Sequence, residues 1–594
     1  MSAKESISAS DIVEEVFTKP LKELIWTANT LVVLPLTPQN FAVGSVLPAA
    51  FYMCRRGCRR GKGRFQQTFS PGGMRANIRF VADKLSQDKL VFAGFNSDVE
   101  KDILGDLLLC DALENKGHEE GHQEEIQRAF PVHFMASWLD LPPTVANLRF
   151  VPEMLVSILA DQQEGSKIQP GLSSGPFPVG DSPEKNLLFH IFARGVLFGE
   201  NPANLRADTV DEQSLLSLEE LLMIRLAQAC QEAPETLRAV HGAVSDIQNC
   251  WPVSKRATLA FRNDLTAFLQ NYGTTIPRRS ITPMLESLLG LGLLTIYLES
   301  CSIAVEWDNN GVVPTVDAQK PVAMFADASN GSDSRLRDLS EQSFDEVIRL
   351  FDHSSSSLMA IRILDAKGRF DRKLRDLTPK GPDTSAWLNL LGKVRLGQHE
   401  RSEAILNDLC EKIEALTAKL EAESIEPEAI DILRSPKAAN DPVRTLADSL
   451  CTMMGDKLLH SNPIKFIDSC LMLNEAHGLG RKRRVSRNFA GRKRKMMDVR
   501  SAILSNTVLE TLVHLHLIAR EGVLSFAEFL RILRERYGIW VDECPPGVSA
   551  SREDLLNNRA MLERRLRDLG LLVGVNDAEF MKHLRPRFQR NQEA

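Results

Sequence analysis

Residues 525–538 read SFAEFLRILRERYG, and from this stretch the architecture of the carboxyl-terminal part can be worked outward. Ser525 and Glu528 have capping-box spacing, in which hydroxyl and carboxylate each satisfy a backbone N–H that a first helical turn leaves free. Phe529, Leu530 and Leu533 follow at helical steps, so a helix with one apolar face begins here. Upstream, Leu504, Val508, Leu512 and Leu515 predict another helix. A third is predicted after Ser551, burying Leu555, Leu562, Leu566 and Leu569 and ending at Gly570, which can take the left-handed conformation of a C-terminal cap. Leu571–Val575 then reads as a strand. Three helices and a strand suit a winged helix-turn-helix, a fold whose recognition helix lies in the DNA major groove. The third helix carries Arg559, Arg564, Arg565 and Arg567, but residues 497–594 hold fourteen Lys or Arg and fourteen Asp or Glu. With no net positive field, the module is open to protein docking as well as to nucleic-acid contact.

Immediately upstream, Gly480–Lys495 reads GRKRRVSRNFAGRKRK. The chain as a whole is acidic, with a formal net charge of -6, yet this segment has no acidic residue. Closely spaced cations neutralise phosphates and release counterions, giving salt-sensitive affinity with little sequence preference. The candidate nucleic-acid contacts are Arg481, Lys482, Arg483, Arg484, Arg487, Arg492, Lys493, Arg494 and Lys495. The bland alternative is a solvated linker. Phe489, between the two basic clusters, either stacks on a base or anchors the segment to the protein surface.

A second basic stretch, CRRGCRRGKGR at Cys54–Arg64, adds Arg55, Arg56, Arg59, Arg60, Lys62 and Arg64 as candidate contacts. It lacks the Gly-x-x-x-x-Gly-Lys-Ser/Thr pattern of nucleotide binding. Pairing with Glu119, Glu120, Glu124 and Glu125 is its alternative role. Cys54 and Cys58, with His118 and His122, are four ligands of types that zinc accepts. Their pairs lie far apart in sequence and the surrounding arginines oppose a divalent cation, so no metal is assigned.

The fold class expected is mixed and mainly α, in several domains, because cores rarely grow past ~250 residues and the chain has 594. Residues 1–162 read as an α/β domain, with Leu31–Leu36 (LVVLPL) as a strand candidate and Glu100–Glu114 at helical spacing. Residues 163–186, rich in Gly, Pro and Ser, read as a linker. A helical domain is expected over 187–300, a small strand-containing insert over 301–340 and a second helical domain over 341–479. The basic segment at 480–497 and the winged-helix-like domain at 498–594 complete the chain. Leu406, Leu409, Ile413, Leu416 and Leu420 form either a coiled-coil seam or, as favoured here, the inward stripe of a packed helix.

The amino terminus lacks a basic start followed by an apolar run, so a cytoplasmic location is expected. Ser287–Leu298, bounded by Glu286 and Glu299, falls short of the ~18 apolar residues of a membrane span and reads as buried structure. Ten scattered cysteines read as reduced thiols. No nucleotide-binding, metalloprotease, serine-hydrolase or kinase signature occurs, and no cofactor is implied. Asp102, Asp106 and Asp111 read as a solvated helix face, and His514 and His516 as structural histidines of an apolar helix.

The phrases LPAAFYMCRRGCRRGKGRF, PVHFMASWLDLPPTVANLRFVPEML, FLRILRERYGIWVD and LRDLGLL resemble those of proteins encoded in bacterial anti-phage defence clusters. The likeness is to an accessory component of a methylation-associated defence system, and it supplies no catalytic signature. It implies a cytoplasmic partner of a modification enzyme and effector nucleases, acting on or near DNA. The sequence therefore reads as a non-catalytic, DNA-associated scaffold or sensor subunit, with other subunits of the system and nucleic acid as partners and no membrane. The alternatives are a protein-interaction adaptor whose basic segments bind an acidic partner, and an unrecognised nuclease subunit.

Overall fold

The computed structural model describes residues 7–17, 25–26, 32–56, 60–61, 64–70, 72, 75–87, 93–115, 124–139, 148, 150–159, 187–200, 208–211, 213–230, 234, 251–378, 383–436, 440–487, 495–518, 524–574 and 582–591. These residues are mainly helical, with small sheets. Val46–Arg56 (α1) is apolar on nearly every side and buried. Asp98–Leu108 (α2) starts at a full capping box between Ser97 and Glu100 and turns Leu104 and Leu108 inward. It stops there, and Ala112–Asn115 pairs antiparallel with Glu125–Ala129, so the helical spacing read through Glu114 ends early. Val32–Leu36 form turns and bends in place of the expected strand. Pro35 lacks the N–H that a ladder needs.

Lys255–Tyr272 (α3) packs against Arg278–Asn310 (α4), a helix that Gly311 ends in the left-handed conformation. Ser287–Leu298 lies inside α4. Among the described residues α4 alone is long and apolar enough to cross a membrane, and 89% of its apolar window is buried within the fold. Helix persists through Asn310, well into the region read as a strand-containing insert, whose strand is Met324–Asp327 (β1). Ser334–Phe370 (α5) follows, with Asp333 accepting from the backbone N–H groups of Arg335 and Leu336. Ser402–Glu423 (α6) buries Leu409, Ile413, Leu416 and Leu420 inside its own core, the inward stripe favoured over a coiled-coil seam, with Ile405 buried at its start and Leu406 only partly so.

Asn462–Cys470 (α7) precedes a hairpin made of Gly480–Arg487 (β2) and Lys495–Ile503 (β3). The basic segment is thus ordered β structure at both ends. β3 also pairs in parallel with β1, and β1 with Ile539–Trp540, giving a four-stranded sheet with β2 and Ile539–Trp540 as its outer strands. Asn506–Ile518 (α8), Leu524–Ser525 (β4), Phe526–Tyr537 (α9), the short strand Ile539–Trp540 (β5), Arg552–Asp568 (α10), Leu572–Val573 (β6) and His583–Leu584 (β7) complete the chain. β4, β7 and β6 form a second, antiparallel sheet in that order. The predicted starts at Ser525 and Ser551 are observed: each hydroxyl accepts the N–H three residues on, from Glu528 and Asp554. Gly570 is left-handed as expected.

Two large buried clusters organise these elements, beside a small third one of Phe325, Leu336, Leu339 and Val548. One draws on residues from Leu34 to Leu584 and the other on residues from Ile12 to Met454. α4 and α5 enter both: Ile281–Cys301 and Phe344–Phe351 contribute to the first, Ile303–Trp307 and Met359–Ala366 to the second. Burial of apolar surface at ~25 cal/mol per Å2 makes such shared helices the main link between cores.

Candidate nucleic-acid interface

The β2–β3 hairpin is built over eight residue pairs, from Gly480 opposite Ala502 to Arg487 opposite Lys495. Because side chains alternate along a strand, Arg481 and Arg483 share one face and Lys482 and Arg484 the other. The first face meets α5. Arg483 donates from Nε and Nη2 to the two carboxylate oxygens of Glu341, at 2.5 and 2.7 Å, and from Nη2 to Asp338 at 3.1 Å. The Glu341 hydrogen bonds, helped by both charges, raise the Arg483 pKa further above its ordinary value. Arg483 is therefore a strut between hairpin and helix.

On the other face Arg500 grips Asp468 of α7 through two nitrogens. Lys482 lies 3.6 Å from Asp468 and 4.0 Å from Asp498, and Arg484 is 3.8 Å from Asp498. These are loose pairs beside the tight one made by Arg500. Arg481 is exposed and makes no hydrogen bond or ion pair with the described residues. Arg487 and Lys495 are placed by their backbone at the end of the ladder. Arg492, Lys493 and Arg494, with Phe489, lie outside the described residues.

Arg481 reaches over the turn between β1 and α5, a turn that no sequence motif marked as part of the site. Gly331 has φ of +85°, and a Cβ there would sit 3.3 Å from the Arg481 guanidinium. Asp327, fully buried, ties the turn together by accepting from Ser329 N–H, Ser329 hydroxyl and Gly331 N–H at 2.6–2.8 Å. Burial pushes the Asp327 carboxyl upward against those bonds. Arg565 of α10 donates to the Ala328 and Leu504 carbonyls and to Asn506. Burial lowers its pKa, with the Arg481 charge acting in the same direction. The sequence signal that could have found this turn is a short apolar strand followed by Asp-Ala-Ser-Asn-Gly-Ser-Asp, the composition of a tight polar turn.

α10 is turned inward by Asn558, which is fully buried. Its amide accepts from Ala328 N–H and donates to the Ala326 and Val541 carbonyls, at 2.8–2.9 Å. Arg559 lies 5.6 Å from the Phe526 ring centroid, and Arg567 pairs with Glu563. Arg564, paired only loosely with Asp568 at 3.9 Å, remains highly exposed.

The second basic stretch is corrected at Arg55. Its guanidinium is 2% exposed, donates to Asp208 at 2.6 and 3.1 Å and to the Gly199 carbonyl, and lies over Phe198. A phosphate cannot reach it without breaking a buried charge pair, a change costing several kcal/mol. Arg60 donates to the Leu139 carbonyl at 2.7 Å, Arg56 is half-buried and Arg64 is exposed. Arg59 and Lys62, like Cys58, His118 and His122, lie outside the described residues. Cys54 faces the core, and burial pushes its thiol well above the usual range.

The fold and site define a mainly helical protein with two large cores and a cationic hairpin at the rim of its small mixed sheet. The family model described as methylation-associated defense system protein MAD7 matches residues 29–588, and the chain belongs to that family. No curated protein and no solved structure matches it.

Proposed function

We propose that this protein is a DNA-associated scaffold or sensor subunit of its defence system, touching the phosphate backbone through the β2–β3 hairpin. The observation that carries the reading is the set of exposed cations on both faces of an outer strand of the sheet, Arg481 on one and Lys482 and Arg484 on the other. Charged edge strands also protect a sheet against unwanted pairing. Protection alone, however, does not account for the further Arg487, Arg492, Lys493, Arg494 and Lys495 that follow in the sequence. Loose surface ion pairs such as those of Lys482 and Arg484 contribute at most about 1 kcal/mol, so phosphate can replace their carboxylates. Arg483 stays with Glu341 and holds the strand in place.

The carboxyl-terminal elements support a winged-helix reading: helix, strand, helix, a short strand given to the other sheet, helix and two strands, with β4, β7 and β6 side by side in that order. Asn558 and Arg565 on α10 face the protein's own β1 and its following turn, which favours a scaffolding role for that helix over groove reading. Family membership supports other components of the defence system as partners.

Gel-shift titration of a short DNA duplex across a salt series tests the proposal. Replacing Arg481, Lys482, Arg484, Arg492, Lys493, Arg494 and Lys495 by Gln should weaken binding and flatten the log–log salt dependence by about 0.9 for each phosphate that is no longer neutralised. Unchanged affinity and slope would exclude the hairpin as the DNA-binding element.

A further inference from the structure

Two surface patches lie away from the hairpin and have opposite charge. On α2, Val99 is 70% and Ile103 50% exposed, with Leu109 just beyond the helix also exposed. Spacing of three and four residues puts Val99, Asp102, Ile103 and Asp106 on one face, and Asp98 adds a third exposed carboxylate beside it. None of these aspartates makes an ion pair with the described residues. The capping box and buried Leu104 and Leu108 hold the helix rigidly beneath them.

The second patch is the corner where α5 ends. Phe370 is 51% and Leu377 57% exposed, and Arg372, Lys373 and Arg375 are exposed between them. The corner is fixed from below by fully buried Leu374. Asp371 accepts from the N–H groups of Lys373 and Leu374 and from Arg401 Nε and Nη2, at 2.7–3.2 Å. Lys373 meets Glu400 at 3.0 Å, with both side chains about two-thirds exposed, and Arg375 meets Asp376 at 3.9 Å. Arg372 makes no ion pair with the described residues.

We infer that the protein associates with itself head to tail, the acidic apolar face of α2 on one copy seating against the basic apolar corner of α5 on the next. Exposed apolar side chains rimmed by polar groups mark interaction surfaces, and aromatic and arginine side chains are enriched at them. The two patches complement each other in charge and in apolar content. A nucleic acid would satisfy the cations of the corner but would leave Leu377 uncovered and would repel the carboxylates of α2. Because the two surfaces differ, the interface is heterologous, and copies close into a ring or extend as a filament.

Sedimentation velocity and light scattering on the full chain test this. Wild type should assemble as concentration rises and come apart with salt. D98K/D102K/D106K and R372E/K373E/R375E should each weaken assembly by at least about tenfold, and a mixture of the two should reassociate because the reversed patches match. F370S/L377S, which leaves every charge in place, should weaken assembly as well, and circular dichroism checks that each variant is folded. Gel-shift affinity for DNA should stay unchanged in all three variants, which separates this inference from the hairpin reading. A chain that is monomeric at every soluble concentration overturns it, as does assembly indifferent to these substitutions or a mixture that does not reassociate. Loss of DNA affinity in the corner variants without loss of assembly would reassign the corner to nucleic acid.

Discussion

His514 shows how one buried side chain ties the chain's end to its core. Nδ1 donates to the Glu510 carbonyl at 2.7 Å, while Nε2 accepts from the Arg587 and Phe588 N–H groups at 3.0 Å each, so the ring is neutral. Burial pulls its pKa down to about 4, against ~6.5 in an unfolded chain. Between those values the unfolded state binds a proton that the folded state refuses. Stability from this residue is therefore present above ~6.5 and lost as pH falls towards the folded value, by up to about 3 kcal/mol. His514→Gln keeps an oxygen able to accept from the same N–H groups but does not titrate. Urea unfolding should show wild type losing more stability than the variant between about pH 7 and 4.5. His133, also held at about 4 by burial, adds a slope common to both proteins.

At the scale of elements, the hairpin divides its cations between structure and surface. Arg483 pairs with nearly buried Glu341, and removing it leaves that carboxylate without its two-point partner. Arg483→Gln should destabilise the protein by about 2 kcal/mol, the range for hydrogen bonds to charged groups. Arg484→Gln, which removes an exposed pair at 3.8 Å, should change stability by less than about 0.5 kcal/mol. Chemical denaturation of the two variants side by side measures the difference. Equal effects would mean that Glu341 does not hold the strand.

At the scale of the molecule, the carboxyl-terminal elements are welded to the middle of the chain. α8 buries residues on all sides, including Val508, Leu509, Leu512, Val513 and Leu515, and packs against α3 and α4. Asp264 of α3 accepts from Arg536 at 2.5 and 3.1 Å and from the Tyr537 hydroxyl at 2.7 Å. Cutting there would expose an apolar helix and take from Arg536 and Tyr537 the carboxylate they share. Residues 498–594 expressed alone should therefore lack the cooperative thermal transition of the full chain, as followed by circular dichroism. A sharp, reversible transition in the fragment would show that these contacts are dispensable.

Helix starts at Ser525 and Ser551 and the stop at Gly570 were legible because capping involves residues three apart and a single backbone conformation. So was the stripe of α6, since its period lies within one helix. Local pattern and composition were enough for these features, for the mainly helical character and for the concentration of positive charge between Arg481 and Lys495. The strand form of that segment was hidden, because an outer strand with charged faces lacks the apolar alternation that marks buried strands. Which cations are free was settled by long-range packing: Arg55 is taken by Asp208, 153 residues away, and Arg483 by Glu341, 142 away. Charge is a property of composition, but availability depends on which carboxylates folding brings within hydrogen-bond reach, and no local pattern carries that distance.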